Sequence, residues 1–401
     1  MKKVSIIGQG YVGLTLAMAA SKSYKIIGFD SQITKVDSLL SGISYVEDVS
    51  NIELIEAMQN GSYIPTTDAS KMEGSDVFVI CVPTPLDDNR QPDLKFIEAA
   101  CNTIAGVLTK PALIINESTS FAGTLRDFIK PIIESKSEFK CNYAVAPERV
   151  DPGRKDFTVT KTPRLLAGID DISSKDALDF YNKFCSNMVM VTSPEVAETA
   201  KLFENTFRQV NIALVNELAT ITNSLGISVY DVLDAANTKP YGFMRFNPGP
   251  GVGGHCIPVD PTYLAFSAEK QGVSARFIEL ANKVNLDMPR YIVERCKKDI
   301  GDLKGKKVLL VGVSYKPNIS DTRETPAEEL FEILQNEGAD VYWHDPLVES
   351  WKSNKIDSLV SNFFDLTIIQ TAHDLLDFDL IKNNSKFVFD CTGKISNANH
   401  L

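Results

Sequence analysis

The feature that most restricts how this chain can fold is a set of glycines close to its start. Gly8-Gln9-Gly10-Tyr11-Val12-Gly13 follows a β-branched run at residues 3–8 and opens a stretch rich in Ala, Leu and Met at 14–21. In a G-x-G-x-x-G placed this way the first glycine allows a tight turn, the second admits a pyrophosphate to the backbone, and the third lets helix pack on strand. The helix start behind it adds partial positive charge. A second apolar run, 25–30, ends in Asp30, seventeen residues after Gly13 and at the position where an acid binds the ribose hydroxyls of adenosine. A carboxylate there repels a 2′-phosphate, so the unit reads as a site for NAD and not NADP. A glycine-rich turn without a ligand is the other reading of the motif alone.

The alternation continues. Residues 76–82, 112–117 and 142–146 read as strands and 93–108 as a helix, a rhythm that implies a parallel sheet covered on both faces. Pro194 then opens a helix to Leu225 with no further Gly or Pro. At 100° per residue Phe203, Phe207, Val210, Leu214, Leu218 and Ile221 share one stripe, and Glu198, Lys201, Asn205 and Asn216 lie opposite. Residues 230–261 are dense in Gly and Pro, 263–298 are helical in pattern, and a second α/β block follows with strands at 308–313, 340–344, 366–371 and 386–389. The expected fold is α/β, two Rossmann-like doubly wound parallel-sheet domains joined by a long central helix. Its segments are residues 1–193, 194–298 and 299–401.

Against 41 Lys and Arg stand 52 Asp and Glu, a net charge of −11 that makes nucleic acid and anionic membranes poor partners. No apolar run approaches the ~18 residues of a membrane span. Met1-Lys2-Lys3 leads straight into the first strand with no signal-peptide pattern, so a cytoplasmic location is expected. The seven cysteines, at 81, 101, 141, 185, 256, 296 and 391, form no C-x-x-C pair, which argues against a disulfide framework or a structural zinc site. His255, His344, His373 and His400 are dispersed, and no metal site is expected.

Cys256 stands in Asn247-Pro-Gly-Pro-Gly-Val-Gly-Gly-His-Cys-Ile-Pro-Val-Asp-Pro261, where glycines expose backbone amides and Asp260 is four residues on. Its neighbours alone leave a catalytic thiol and a structural cysteine equally open. Lys201 by itself reads as a solvated charge, and Glu148, in Ala-Pro-Glu-Arg after a strand, as a surface acid or salt-bridge partner.

Taken together, these segments resemble the nucleotide-sugar 6-dehydrogenases, the UDP-glucose and UDP-N-acetylhexosamine dehydrogenase family. The resemblance covers nearly the whole chain and rests on seven separate motifs. They are the G-x-G-x-x-G, Val82-Pro83-Thr84-Pro85, Glu117-Ser118-Thr119, Ala146-Pro147-Glu148-Arg149, Glu198-Thr-Ala-Lys-Leu-Phe-Glu-Asn205, Gly-Gly-His-Cys256, and Tyr315-Lys316-Pro317 with Asp321-Thr-Arg323-Glu. It implies a four-electron oxidation of a C6 hydroxyl with NAD+, in which Cys256 forms a thiohemiacetal and then a thioester. Lys201 and Asp260 would hold a water and stabilise alkoxide charge, Glu148 would activate the hydrolytic water, and Thr119 and Asn205 would keep it or the sugar in register. For the cofactor the resemblance adds Lys35, Val82, Pro83, Thr84, Ser118, Thr119 and Arg323. For the substrate it adds Arg154 and Arg164 near the sugar, the stretch from Phe246 to Gly251 against the uracil, Tyr315 with Lys316 near the diphosphate, and Arg149, Arg245 and Gly253 as further binding residues.

Gly-Gly-His-Cys256-Ile-Pro with Val259-Asp260-Pro261 resembles the N-acetylhexosamine branch, and within it Asp151-Pro152-Gly153 and Ala275-Arg276-Phe277-Ile278-Glu279-Leu280 are most similar to the UDP-N-acetylglucosamine 6-dehydrogenases of bacterial surface-polysaccharide pathways, those of capsule and lipopolysaccharide. UDP-N-acetylmannosamine, UDP-N-acetylgalactosamine and UDP-glucose are the alternative substrates. A two-electron dehydrogenase of the hydroxy-acid or 6-phosphogluconate kind would need no cysteine. A non-catalytic NAD-binding scaffold would bind NADH without turnover. A homodimer or higher homo-oligomer is expected, because the long helix of this family also forms the dimer.

Overall fold

Val77–Ile80 and Leu113–Asn116 are buried at every position, the pattern of strands covered on both faces. They lie at the centre of the larger of two sheets in the computed structural model, which describes residues 2–150, 158–254, 256–359, 363–395 and 398–401. In chain order the elements are β1 (Lys3–Ile7), α1 (Tyr11–Ser21), β2 (Lys25–Phe29), α2 (Ile33–Leu40), α3 (Asn51–Gln59), β3 (Tyr63–Thr66), β4 (Val77–Ile80), α4 (Lys95–Val107), β5 (Leu113–Asn116) and α5 (Lys130–Glu134). Next come β6 (Asn142–Val145), β7 (Arg164–Gly168), α6 (Asp171–Tyr181), β8 (Met188–Met190), α7 (Pro194–Ser224), α8 (Val229–Asn237), α9 (Asp260–Lys270) and α10 (Arg276–Ile300). The chain ends with β9 (Lys307–Val311), α11 (Pro326–Asn336), β10 (Asp340–His344), β11 (Leu366–Ile369), α12 (Phe378–Asn383), β12 (Val388–Asp390) and β13 (Asn399–His400).

The chain divides into two units. Unit 1 holds residues 1–204 with Thr262–Gln271, and unit 2 holds Asn205–Pro261 with Gly272–Leu401. The sheet of unit 1 runs β3-β2-β1-β4-β5-β6-β7-β8. It is parallel except where β6 meets β7 antiparallel, a departure from the fully parallel sheet expected. β2 lies on one side of β1 and β4 on the other, so the strand order reverses at β1 and opens a crevice at the carboxyl ends of the strands. The five strands of unit 2 run β10-β9-β11-β12-β13, all parallel.

Helix α1 fixes the first turn by burial. Leu14 and Leu16 are both fully buried, and truncating either to Ala would cost about 2–5 kcal/mol. Sequence patterning misses β3, whose Pro65 breaks a strand signal, and β8, an edge strand with Val189 and Met190 exposed. The helical pattern expected at 263–298 is interrupted between α9 and α10 at Gly272, where φ is +73°.

Helix α7 buries polar residues beside apolar ones such as Leu202 and Ala219 and leaves part of its apolar surface exposed. Its polar positions Glu198, Lys201 and Asn216 are buried, whereas Phe203, Phe207, Leu214 and Ile221 are 59%, 43%, 63% and 49% exposed. The polar face is turned inward because it carries hydrogen-bonding work described below.

Candidate active site

In unit 1 the turn after β1 is locked by sterics. Gly8 has φ +92° and donates its N–H to Phe29 O at 2.8 Å, and a Cβ there would lie 2.4 Å from Cys81 O. A Cβ on Gly13 would lie 1.8 Å from Gly8 O. Around Gly10, by contrast, no atom comes within 4 Å of the Cβ position, and the first turn of α1 carries no acid. This open space, at the positive end of a helix, is what a pyrophosphate requires. Asp30 is held in place: Oδ2 accepts from Gln9 N at 2.8 Å, Oδ1 accepts from Gln32 N at 2.9 Å, and Lys35 Nζ stands 3.6 Å from Oδ2. Gln9, which sequence reasoning passed over, is fully buried and fixes the turn from inside. Its amide donates to Ile6 O at 2.9 Å and its Oε1 accepts from Tyr63 Oη at 2.7 Å. These groups fit a dinucleotide with free ribose hydroxyls.

The turn at Val82-Pro83-Thr84 is buckled to the end of β5. Val82 N donates to Ser118 Oγ at 2.9 Å, and that hydroxyl donates back to Val82 O at 2.8 Å. The loop carrying Thr119 is anchored by Glu198 of α7, which accepts from Gly123 N at 2.7 Å and Leu125 N at 3.0 Å. Burial pushes the Glu198 carboxyl up to about 8 against the lowering effect of those backbone donors. Lys201, one turn further along the same face, is 9% exposed and not the solvated charge its surroundings in the sequence suggest. No carboxylate pairs with its ammonium among the described residues of unit 1.

Glu148 is oriented from three directions. Oε1 accepts from Arg149 N at 2.6 Å and Val150 N at 2.8 Å, and Oε2 lies 2.5 Å from Arg164 Nη2. Arg164, expected near the sugar, is instead an internal ion-pair residue. Its side chain is 3% exposed, and its Nη1 lies 2.7 Å from Glu117 Oε2. Arg149 is likewise engaged, by Glu204 at 2.7 Å and Pro163 O at 2.8 Å. Arg154 lies outside the described residues, as do Asp151-Pro152-Gly153 and His255.

Unit 2 gathers the cysteine loop. Six of the seven cysteines are buried and Cys256 is exposed. The Cys256 carbonyl accepts from Val259 N at 3.1 Å and Asp260 N at 2.8 Å, so the thiol sits one turn ahead of α9. Asp260 is 2% exposed and accepts from Asn205 Nδ2 at 2.5 Å. The loop glycines are required by close approach. A Cβ on Gly253 would lie 2.6 Å from Tyr315 Cβ, and one on Gly254, where φ is +86°, would lie 2.8 Å from the Tyr315 ring. Tyr315 thus forms the wall against which the cysteine loop is folded, and Gly254 N donates to Arg323 O at 3.1 Å. Gly249 N donates to Asn216 Oδ1 at 2.9 Å, and Asn216 Nδ2 donates to Asn285 Oδ1 at 3.0 Å, so the polar face of α7 anchors the loop. A Cβ on Gly251 would meet Asn285 O at 3.0 Å. Arg245 pairs with Asp234, Phe246 packs edge-on against Phe207, Ser314 Oγ donates to Lys316 O at 3.0 Å, and the Arg323 guanidinium rests on Asp321. No cluster of metal-ligating side chains occurs among the described residues.

A glycine turn open at the helix start, an acid fixed at the end of β2 and a switch-point crevice make the arrangement of a dinucleotide-binding domain. The chain belongs to the UDP-glucose/GDP-mannose dehydrogenase family, whose NAD binding, central and UDP binding domains match residues 2–185, 195–287 and 309–397. It is an NAD-dependent UDP-sugar dehydrogenase, an oxidoreductase. It is 35% identical over 382 residues to a UDP-N-acetyl-D-mannosamine dehydrogenase of Methanocaldococcus jannaschii, spanning 93% of this chain and 86% of that one. It is 36% identical over 347 residues to an NDP-N-acetyl-D-galactosaminuronic acid dehydrogenase of Ralstonia nicotianae, spanning 83% and 80%. A UDP-D-ManNAc dehydrogenase structure from Pyrococcus horikoshii superposes with a TM-score of 0.90 at 31% identity, covering 99% of this chain and 97% of that one.

Proposed function

We propose that the chain oxidises the C6 hydroxyl of a UDP-N-acetylhexosamine to the uronic acid through a thioester on Cys256. The observation that carries this reading is the placement of the one exposed cysteine on a loop folded against Tyr315, one turn ahead of buried Asp260. Residues 8–13 and Asp30 would hold NAD+, which would supply one hydride acceptor for each of the two oxidations, a fresh NAD+ replacing NADH between them. The Cys256 thiolate adds to the C6 aldehyde, and Lys201 stabilises the resulting alkoxide. Glu148 takes a proton from the water that attacks the thioester, the thiolate departs, and the acid is released. Asn205 orients Asp260, and Thr119 holds the water or sugar in register.

The preferred epimer moves from UDP-N-acetylglucosamine to UDP-N-acetylmannosamine, since relatives at this level of identity carry that name. A nucleotide-activated uronic acid of this kind is a donor for the glycosyltransferases of surface polysaccharides. The exposed apolar stripe of α7 supports self-association through that helix. No described helix is long and apolar enough to cross a membrane.

The test is NADH formed per sugar with the N-acetylmannosamine, N-acetylglucosamine and N-acetylgalactosamine nucleotides and UDP-glucose, for the wild type and Cys256→Ser. Two NADH per sugar, lost in the variant, is the expected result. One NADH per sugar, or a variant that completes both oxidations, removes the thioester.

A further inference from the structure

Behind Glu148 lies a sealed charge cluster that the reaction as described does not use. Glu117, at the carboxyl end of β5, is 2% exposed. Arg164 of β7 lies 2.7 Å from its Oε2, and the Tyr181 hydroxyl of α6 donates to its Oε1. Glu148, from the loop after β6, shares the same guanidinium at 2.5 Å, and the Arg164 guanidinium lies 5.2 Å from the Tyr181 ring centroid. Among the described residues, the remaining titratable groups facing Glu117 are the thiols of Cys81 after β4 and Cys185 after α6, both pushed up by burial. One guanidinium therefore serves two carboxylates with little solvent access, an arrangement in which full ionisation of both is costly.

We propose that Glu117 and Arg164 are positioning residues for Glu148: Arg164, anchored by Glu117 and Tyr181, holds the Glu148 carboxylate in its working orientation, and proton uptake by Glu117 weakens that hold. The proposal rests on the reading of Glu148 as the base for thioester hydrolysis. Burial pushes Glu117 up to about 7, with Arg164 opposing and the Glu148 charge adding to the rise. Below that pH Glu117 is neutral and its ion pair with Arg164 is lost. Above it, the pair forms and Glu148 is fixed. Hydrolysis should quicken as pH rises through about 7, whereas the first hydride-transfer stage should show no such limb.

The experiment follows the NADH burst, the steady-state rate and the mass of acylated Cys256 between pH 5.5 and 9. In Glu117→Gln the limb near 7 should vanish from kcat. At pH 8 kcat should fall about 10- to 100-fold with KM unchanged and acyl-enzyme accumulating, while at pH 6 it should match the wild type. A limb retained in this variant, or an equal loss at pH 6 and 8, overturns the proposal. If Glu117→Gln does not fold, Tyr181→Phe decides. Losing the hydroxyl donor should move the limb to higher pH, and an unmoved limb rejects the idea. Glu148→Gln separates the two levels. Rapid hydrolysis without Glu148 removes both the base and its positioning, whereas acyl-enzyme accumulation there beside a normal limb in Glu117→Gln removes only the positioning.

Discussion

The two units build the same turn and use it for different ends. Gly8 in unit 1 and Gly312 in unit 2 have φ of +92° and +73°, and their N–H groups donate to Phe29 O and His344 O at 2.8 and 2.9 Å. The next N–H, from Gln9 or Val313, donates at 2.8 Å to an acid just after the neighbouring strand, Asp30 or Asp345. Each acid also caps the N–H two residues on, at 2.9 Å. What differs is the other side of the acid. Asp30 faces half-buried Lys35 at 3.6 Å beside the open space at Gly10. Asp345 is closed off by His373, itself fully buried, whose Nε2 lies 3.0 Å away and whose Nδ1 accepts from Asn318 N at 2.9 Å. That acceptor bond places the ring proton on Nε2, facing Asp345. One acid keeps an open side, as the proposed ribose site needs, and the other is consumed in aiming the Ser314–Asn318 segment, and with it Tyr315, at the cysteine loop.

Removing the acid should separate the two roles most sharply. Asp345→Ala strands His373 and several buried N–H groups, and should cost about 3–5 kcal/mol in denaturant unfolding. Asp30→Ala strands two N–H groups, costs about 1–3 kcal/mol, and chiefly raises KM for NAD+. Equal stability losses would mean that both acids are struts. The glycines come next. In Gly312→Ala a Cβ would stand 1.9 Å from Thr371 O at a positive φ, and in Gly8→Ala 2.4 Å from Cys81 O, so each should lose about 2–4 kcal/mol. Gly10→Ala meets nothing within 4 Å and should keep its melting temperature while binding NAD+ less tightly. A destabilised Gly10→Ala would refute the open cradle.

How much of this could be read from the chain follows from distance along it. Gly8, Gly13 and Asp30 form a local unit, so turn chemistry alone places them. The partnership of Glu117, Arg164 and Glu148 joins residues at the ends of three strands, and nothing near Arg164 marks it as buried; a single sequence offers only the weak hint of an arginine at the head of an apolar run, Arg-Leu-Leu-Ala-Gly. On α7 the 3.6-residue period separates two faces but cannot say which is buried. The polar one is turned inward because Glu198 and Asn216 each satisfy backbone N–H groups of other segments. The role proposed for Cys256 comes only through resemblance, since the Tyr315 ring that shapes its loop lies 59 residues on.

Acid and alkali should load the units in opposite directions. Glu117 and Glu198 in unit 1 are raised to about 7 and about 8 by burial, so their contribution is full below pH ~4.5 and is lost as pH rises through 7 to 8. For Asp345 burial is outweighed by the hydrogen bonds from His373 and backbone N–H groups, which hold it below the ordinary value. Its contribution is present above pH ~3.9 and is lost as pH falls through the lowered value. Hydrogen exchange read by peptide should therefore show β5 and β6 less protected at pH 8 than at pH 5, with β9 and β10 unchanged. Glu198→Gln should flatten the first trend, and parallel behaviour of the two sheets would contradict the contrast.

The smallest effect belongs to the one charge that tells the two acids apart from outside. Lys35 Nζ lies 3.6 Å from Asp30 with its side chain 30% exposed, a geometry worth roughly 0–1 kcal/mol. Lys35→Met should leave the melting temperature nearly unchanged, because Asp30 keeps both backbone donors. What it should change is the cofactor, with NAD+ affinity falling a few-fold and more so at low salt, where an ammonium beside the ribose is least screened. If affinity is unchanged at every ionic strength, Lys35 is only the outer partner of Asp30. The open side of the first turn would then be defined by Gly10 and the acid alone.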